Sequence, residues 1–264
     1  MKYYKFWIKE DFKITIDGNE EVISILSGSN QSENVAFQKA SEKAKNIENR
    51  IAERKPKDSY EVAIKEYIDE VIDDSNIITV CRYGAKILNT TSYTIFDLDD
   101  YPVDFFDYFK AVKRLKKKDR IVYKFEERVR KFPELGTDFR VYETAKGVRV
   151  IGKKYIDPSS KGYTRLMRRL CVDWIYIQLS KKQKCYRARL TPKPYRMKIN
   201  TIKVKSPLDC KNENYLNWEK AYTEKSRDYS VVRLVKSLGS DFSSDKIVKQ
   251  HDLMCNLQSN RRLA

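Results

Sequence analysis

The run TSYTIFDLDDYP, residues 91–102, limits the fold more than any other stretch of this chain. Tyr93, Ile95 and Phe96 form an apolar run of strand length that other elements have to cover, and it stops at a group of carboxylates. Side chains two apart on a strand share a face with Cβ atoms roughly 6–7 Å apart, so Asp97 and Asp99 converge while Asp100 points away. Two carboxylates this close repel and raise one pKa unless a divalent ion or Lys and Arg groups neutralise them. Mg²⁺ suits such a pair, since hard carboxylate oxygens and phosphate oxygens together complete its octahedron. The competing explanation is local: strand ending, helix capping or pairing with surface lysines.

The rest of the chain supplies abundant positive charge. Fifty-four Lys and Arg stand against 37 Asp and Glu, a formal net charge of +17. That is more than solubility needs and favours a polyanionic partner such as nucleic acid, nucleotides or an anionic membrane. Eighteen Tyr, 11 Phe and 3 Trp supply faces for base stacking as well as for the core. The 264 residues suffice for one large domain or a domain with a small satellite. Cys81, Cys171, Cys185, Cys210 and Cys255 are odd in number and contain no C-x-x-C pair, which argues against a disulfide framework or zinc site and fits a reducing compartment. No apolar run nears the roughly 18 residues that cross a bilayer, and MKYYKFWIKEDFK lacks a signal-peptide core. A cytoplasmic protein without a membrane partner is expected.

Residues 1–56 predict a small module. Period-two alternation over 2–9, 12–18 and 21–28, with Asp-Gly-Asn as a hairpin turn, gives three strands. A helix of about six turns follows, its stripe formed by Val35, Ala36, Ala40, Ala44, Ile47 and Ile51. Pro56 ends it, and a linker is expected at 54–60. Residues 57–264 then predict an α+β domain. Its expected elements are a short helix at 62–71, two strands around Ile77–Val80 and Tyr93–Phe96, and helices from Val103 and through Ile121, Phe125 and Val129. A hairpin over FRVYETAKGVRVIG turns at Ala145–Gly147, helical text covers YTRLMRRLCVDWIYIQLSKKQ, and CYRARLTPKPYRMKINTIKVK reads as extended. From about Asn212 the pattern is mostly helical.

Two downstream segments qualify as anion sites. TAKGVRVIG puts a small-residue turn beside Lys146 and Arg149, so backbone and two cations can approach a phosphate; an ordinary hairpin turn is the alternative. In KCYRARLTPKPYR, Arg187 and Arg189 share a face with Lys193 and Arg196 close behind and Tyr186 and Tyr195 among them, a phosphate-and-base platform or else a guarded edge strand. The one histidine, His251, precedes Asp252; a lone His in helical text is expected to pack rather than catalyse.

FDLDDYP resembles the first motif of haloacid dehalogenase-type phosphatases, where the first aspartate is nucleophile and the second acid/base; Asp97 and Asp99 would hold those roles, with Asp241 and Asp245 of SLGSDFSSD a loose echo of that family's acidic metal motif near the end. IFDLD and TAKGVRVI together, over residues 76–200, are more similar to the archaeo-eukaryotic primase and primase-polymerase superfamily. Arg149 stands where that family usually has His. RYGAKILNT and RARLTPKPYR further resemble a set of small bacterial proteins grouped near these primases. The resemblance implies a primase-like catalytic core, a central mostly antiparallel sheet flanked by helices. It implies metal-dependent nucleotidyl transfer with Mg²⁺ or Mn²⁺ on Asp97, Asp99 and the candidate third ligand Asp173. Lys146, Arg149, Arg187, Arg189 and Lys193 would then bind nucleotide or phosphate, and the partners would be DNA or RNA and nucleoside triphosphates. A non-catalytic nucleic-acid-binding protein on the same fold is the alternative.

Overall fold

The computed structural model describes residues 1–56, 63–102, 111–257 and 261–264. At the N-terminal end, β1 (Phe6–Ile16) and β2 (Asn19–Ser29) pair antiparallel in unbroken register from Phe6↔Ser29 to Ile16↔Asn19. The three strands expected here are therefore two. Ile8, Phe12, Ile14 and Ile16 keep one parity through Lys9–Asp11, so nothing in the chain breaks the first strand. Asp17 and Gly18 both have positive φ, 48° and 83°, as a two-residue hairpin turn requires. Helix α1 (Glu33–Ala52) starts at Ser32, whose hydroxyl accepts from the Val35 N–H, and buries Ala36, Ala40 and Ala44, the latter two against Ile14 and Ile25. The predicted stripe thus lies on the ribbon. A parallel bridge, Tyr3↔Ile64, ties this small module to the larger domain.

Three consecutive strands and a later one form one antiparallel sheet. β3 (Tyr67–Asp73), β4 (Asn76–Val80), β5 (Lys86–Thr90) and β9 (Tyr186–Arg189) pair in the order β3-β4-β5-β9. β3 replaces the short helix expected at 62–71. Its cause is β4, which is buried throughout and needs partners along both edges. The tight connection is local: Asp73 Oδ1 accepts from the Ser75 N–H and from Asn76 Nδ2, each at 2.8 Å. β5 was not expected as a strand of its own.

A second antiparallel sheet runs β11-β7-β8-β6, from β6 (Thr94–Leu98), β7 (Phe139–Thr144), β8 (Val148–Gly152) and β11 (Val232–Leu238). The expected 139–152 hairpin is present. β6, expected to pair with the strand at 77–80, lies instead beside β8. One central sheet thus becomes two of four strands each. Helix α2 (Lys117–Val129) covers the second sheet, where Phe125 meets Phe96 and Phe139 edge-on at 5.5 and 5.6 Å.

Helices α3 (Tyr163–Arg169) and α4 (Trp174–Gln183) divide the expected helical segment at Cys171, φ 57°, and Asp173, the α4 N-cap. Beyond β9 the expected extended run has no further strand; Pro194–Met197 and Pro207–Lys211 are single 3₁₀ turns. The tail contains α5 (Glu213–Ser226) and α6 (Lys246–Met254), yet it also supplies β11 and a two-residue parallel pair, β10 (Tyr229–Ser230) with β12 (Arg262–Leu263). The helix expected from Val103, with Phe105 and Phe109, falls largely outside the described residues, as does most of the 54–60 linker. All five cysteines are free, and no described helix is long and apolar enough to cross a membrane.

Candidate active site

The two four-stranded sheets meet edge to edge. β6 and β9 are outer strands of their respective sheets, and Arg149 Nη1 on β8 donates to the Arg189 carbonyl of β9 at 2.9 Å. Part of the same free β6 edge is covered by the start of α4, where the Asp173 N–H donates to the Asp97 carbonyl at 3.0 Å. A cavity of about 470 Å³ opens at this junction. Asp97, Asp99, Lys146, Arg149, Arg187, Arg189 and Lys193 all line it. Asp97 on β6 and Asp99, one residue past its end, enter this space together. Asp100 turns the other way, 3.5 Å from Arg120 of α2.

Asp173 does not line the cavity. Its carboxylate accepts from the Tyr176 N–H at 2.8 Å as the α4 N-cap, and among the described residues no three His, Cys, Asp or Glu side chains gather as a metal-binding set. The donor set is therefore two carboxylates. It fits a hard divalent ion that draws its remaining ligands from phosphate oxygens and water.

Charge in the cavity is unbalanced, with seven Lys or Arg side chains and three carboxylates along its wall. Arg187 is the cation already matched: its Nη2 reaches Glu66 Oε1 and Oε2 at 2.8 and 2.6 Å, and Glu66 also accepts from the Thr79 hydroxyl at 2.6 Å. Arg149, Arg189, Lys146, Lys193 and Arg196 form no ion pair among the described residues, nor do Asp97 and Asp99. Asp97 and Arg149 face each other across the β6–β8 ladder. Burial, with Asp99 and Asp173 adding to it, nevertheless pushes the Asp97 carboxyl up in spite of Arg149 and Arg189. Burial and the neighbouring Arg149 and Arg196 push Arg189 down, and burial with Arg189 and Arg196 does the same to Lys193.

Behind Arg149 lies a buried polar chain. Arg149 Nη1 is 3.2 Å from His251 Nε2 of α6, and His251 Nδ1 is 2.8 Å from Asp252 Oδ1. A guanidinium only donates, so in this arrangement the imidazole is neutral at Nε2 and carries its proton on Nδ1. Asp252 further accepts from the Tyr142 hydroxyl and from Arg140 Nη2, both at 2.8 Å. Burial raises the Asp252 carboxyl, but His251, Tyr142 and Arg140 outweigh it and hold the group below the usual range. His251 is thus packed, as expected, while also bracing a cavity cation.

The 145–147 turn seats itself against β6. A Cβ on Gly147 would collide with the Leu98 carbonyl oxygen and lie 3.0 Å from Asp99 Cα, so only glycine lets the turn come this close. Tyr195 is exposed with Lys193 Nζ and Arg196 at 5.9 and 5.7 Å from its ring, matching a stacking face. Tyr186 corrects the other half of that expectation: it is fully buried, its hydroxyl donating to the Ile156 carbonyl.

Sequence reasoning missed Glu66, Arg82, Tyr83 and Tyr176 as wall residues. Arg82 and Tyr83 lie in the RYGAK turn between β4 and β5, where the motif itself was the available signal. Asp241 and Asp245 stay outside the cavity: Asp241 bonds Arg140 and Ser243, and Asp245 accepts from the Tyr93 hydroxyl. Comparison with protein-family models, with characterised proteins and with solved structures finds no match to this chain.

Proposed function

We propose that the cavity between the two sheet edges is the active site of a metal-dependent nucleotidyltransferase acting on nucleic acid, in the manner of a primase-polymerase. The observation that carries this reading is the convergence of Asp97 and Asp99 on one cavity with Lys146, Arg149, Arg189 and Lys193, which form no ion pair among the described residues. Asp97 and Asp99 would hold Mg²⁺ or Mn²⁺, which would supply Lewis-acid polarisation of phosphate oxygens and neutralise charge. Arg149, fixed from behind by His251 and tied to the Arg189 carbonyl, presents a rigid guanidinium to a triphosphate oxygen. Arg189 and Lys193 neutralise the remaining phosphate charge. Tyr195 stacks a base at the rim.

Asp97→Asn tests the reading by Mg²⁺- or Mn²⁺-dependent incorporation of labelled nucleotide on a primed or unprimed strand. Loss of about 10²-fold or more is expected, the scale of removing one preorganised charge-stabilising group. Undiminished incorporation by that variant would sink the assignment. One observation favours a second reading, a non-catalytic nucleic-acid-binding protein: the carboxylate of Asp173 is engaged at a helix cap, which leaves two acidic ligands. That protein binds oligonucleotide with strong salt dependence, turns nothing over, and keeps its affinity in the Asp97→Asn variant.

A further inference from the structure

A second concavity, of about 810 Å³, lies along α3 and the outer face of α4. Lys161, Arg165, Arg168, Arg169 and Lys181 line it, and the remaining lining residues are Ser, Thr and Gly. All five cations are exposed, and none forms an ion pair with a described residue. Trp174, at the first turn of α4, is 53% exposed, whereas Trp7 is buried and Trp218 is stacked on Tyr222 at 4.6 Å. The Arg168 guanidinium stands 5.7 Å from the Trp174 ring centroid, leaving the indole held but uncovered. Helix α4 is the shared wall of both concavities. Tyr176, Leu179 and Ser180 face the carboxylate cavity, and Lys181 faces the basic groove.

We propose that this groove binds a single-stranded nucleic acid, phosphates along the five cations and one base stacked on Trp174, and guides that strand over α4 to the cavity. The inference rests on the nucleotidyltransferase reading for the strand's destination, though not for its binding. Charge complementarity selects a polyanion. The concave shape and the uncovered indole select one with free bases, since duplex bases offer no face to stack upon. An anionic membrane would meet the same cations together with the exposed Trp174 and Ile175, but α4 joins this groove to the carboxylate cavity, which favours a strand that reaches that cavity.

The test uses the whole chain with a labelled oligodeoxythymidine, read by fluorescence anisotropy across a salt series and by quenching of indole emission. Trp174→Ala is expected to weaken single-strand binding about tenfold and abolish most of the quenching while leaving duplex binding near its original level. Reversing Arg165, Arg168 and Lys181 to Glu is expected to weaken binding at least tenfold and flatten its salt dependence. All four residues are exposed, and an unchanged thermal midpoint identifies folded variants. Unchanged affinity and salt slope in both variants overturn the proposal, as does binding to phosphatidylserine vesicles that depends on Trp174 and outcompetes the oligonucleotide. Oligonucleotide binding is measured without metal or nucleoside triphosphate, so failure of the catalytic reading is separable from failure of this one.

Discussion

Replacing Gly147 by alanine tests how the site is assembled, because a single methyl group has to displace the turn that carries Lys146. Gly147 is buried, and its backbone conformation is one any residue adopts, so the obstacle is space alone. The added Cβ overlaps the Leu98 carbonyl oxygen and crowds Asp99 Cα at 3.0 Å and the Leu98 carbonyl carbon at 3.1 Å. These are backbone atoms and cannot swing aside as a flexible side chain does. The turn is also pinned from within: Thr144 N–H donates to the Gly147 carbonyl at 2.9 Å, and Gly147 N–H donates to the Thr144 hydroxyl at 3.1 Å. Relief therefore lifts the turn off the end of β6 and strains the Leu98↔Val148 pair, the last of that ladder. Overpacking of this kind costs about 1–3 kcal/mol. At about 2–4 °C per kcal/mol for a chain near this size, the thermal midpoint should fall by roughly 2–12 °C. The functional loss should be larger, since a displacement near 1 Å of positioning groups costs on the order of 10²-fold in rate. Calorimetry measures the first effect and nucleotide incorporation the second. A variant that melts with the wild type and incorporates at the wild-type rate refutes the claim that this contact sets the geometry.

Two further substitutions probe the electrostatics. Asp97→Asn should stabilise the fold at neutral pH by about 1 kcal/mol, the usual gain when a functional strain is removed. Because burial raises the folded-state pKa of Asp97, its share of stability is complete below the ordinary carboxylate value of about 3.9 and is lost as pH rises through the raised one, so the advantage of the variant should shrink in acid; urea titrations at pH 7 and pH 3.5 that show no such difference count against it. Glu66→Gln leaves Arg187, whose side chain is only 16% exposed, without its carboxylate and should cost about 3 kcal/mol by urea unfolding; a loss well under 1 kcal/mol would show that the pair is not structural.

The local parts of this fold are written in local patterns, and the site is assembled from non-local ones. Spacing alone shows that Asp97 and Asp99 share a side, that Phe139–Gly152 turns back at Gly147, and that α1 has a small-residue stripe. The segment YIDEVID reads equally as a helix, because its apolar residues fit either period; β4 decides the matter by requiring a partner, and that requirement is tertiary. Glu66 was missed with it, standing just ahead of a strand taken for helix. β11 contributes an alternating VRLVKSL run in text otherwise helical, and only its place beside β7 fixes it. The largest gap concerns the two sheet edges. RARLT announces two arginines on one side of a strand, yet no periodicity says that this strand closes one sheet against the carboxylate strand of another, or that His251, 102 positions beyond Arg149, comes to rest behind it.

The shifts within the cavity run opposite to those of a structural ion pair. In a structural pair each partner is favoured in its charged form, as with Arg187, where Glu66 overcomes burial and raises the guanidinium's pKa. Around Asp97 the pattern is the reverse on both signs: the carboxyl is pushed up while Arg189 and Lys193 are pushed down, although all three line one cavity. Each charge is penalised by burial and crowded by its own kind, and the fold does not let them satisfy one another. Arg149 illustrates the cause, since it faces Asp97 across the ladder but gives its hydrogen bonds to the Arg189 carbonyl and to His251. A bare anion would relieve only the cations, and a bare divalent ion only the aspartates. A divalent ion carried with a polyphosphate relieves both at once, which is the physical reason for reading the two carboxylates and the surplus of cations as halves of a single nucleotide site.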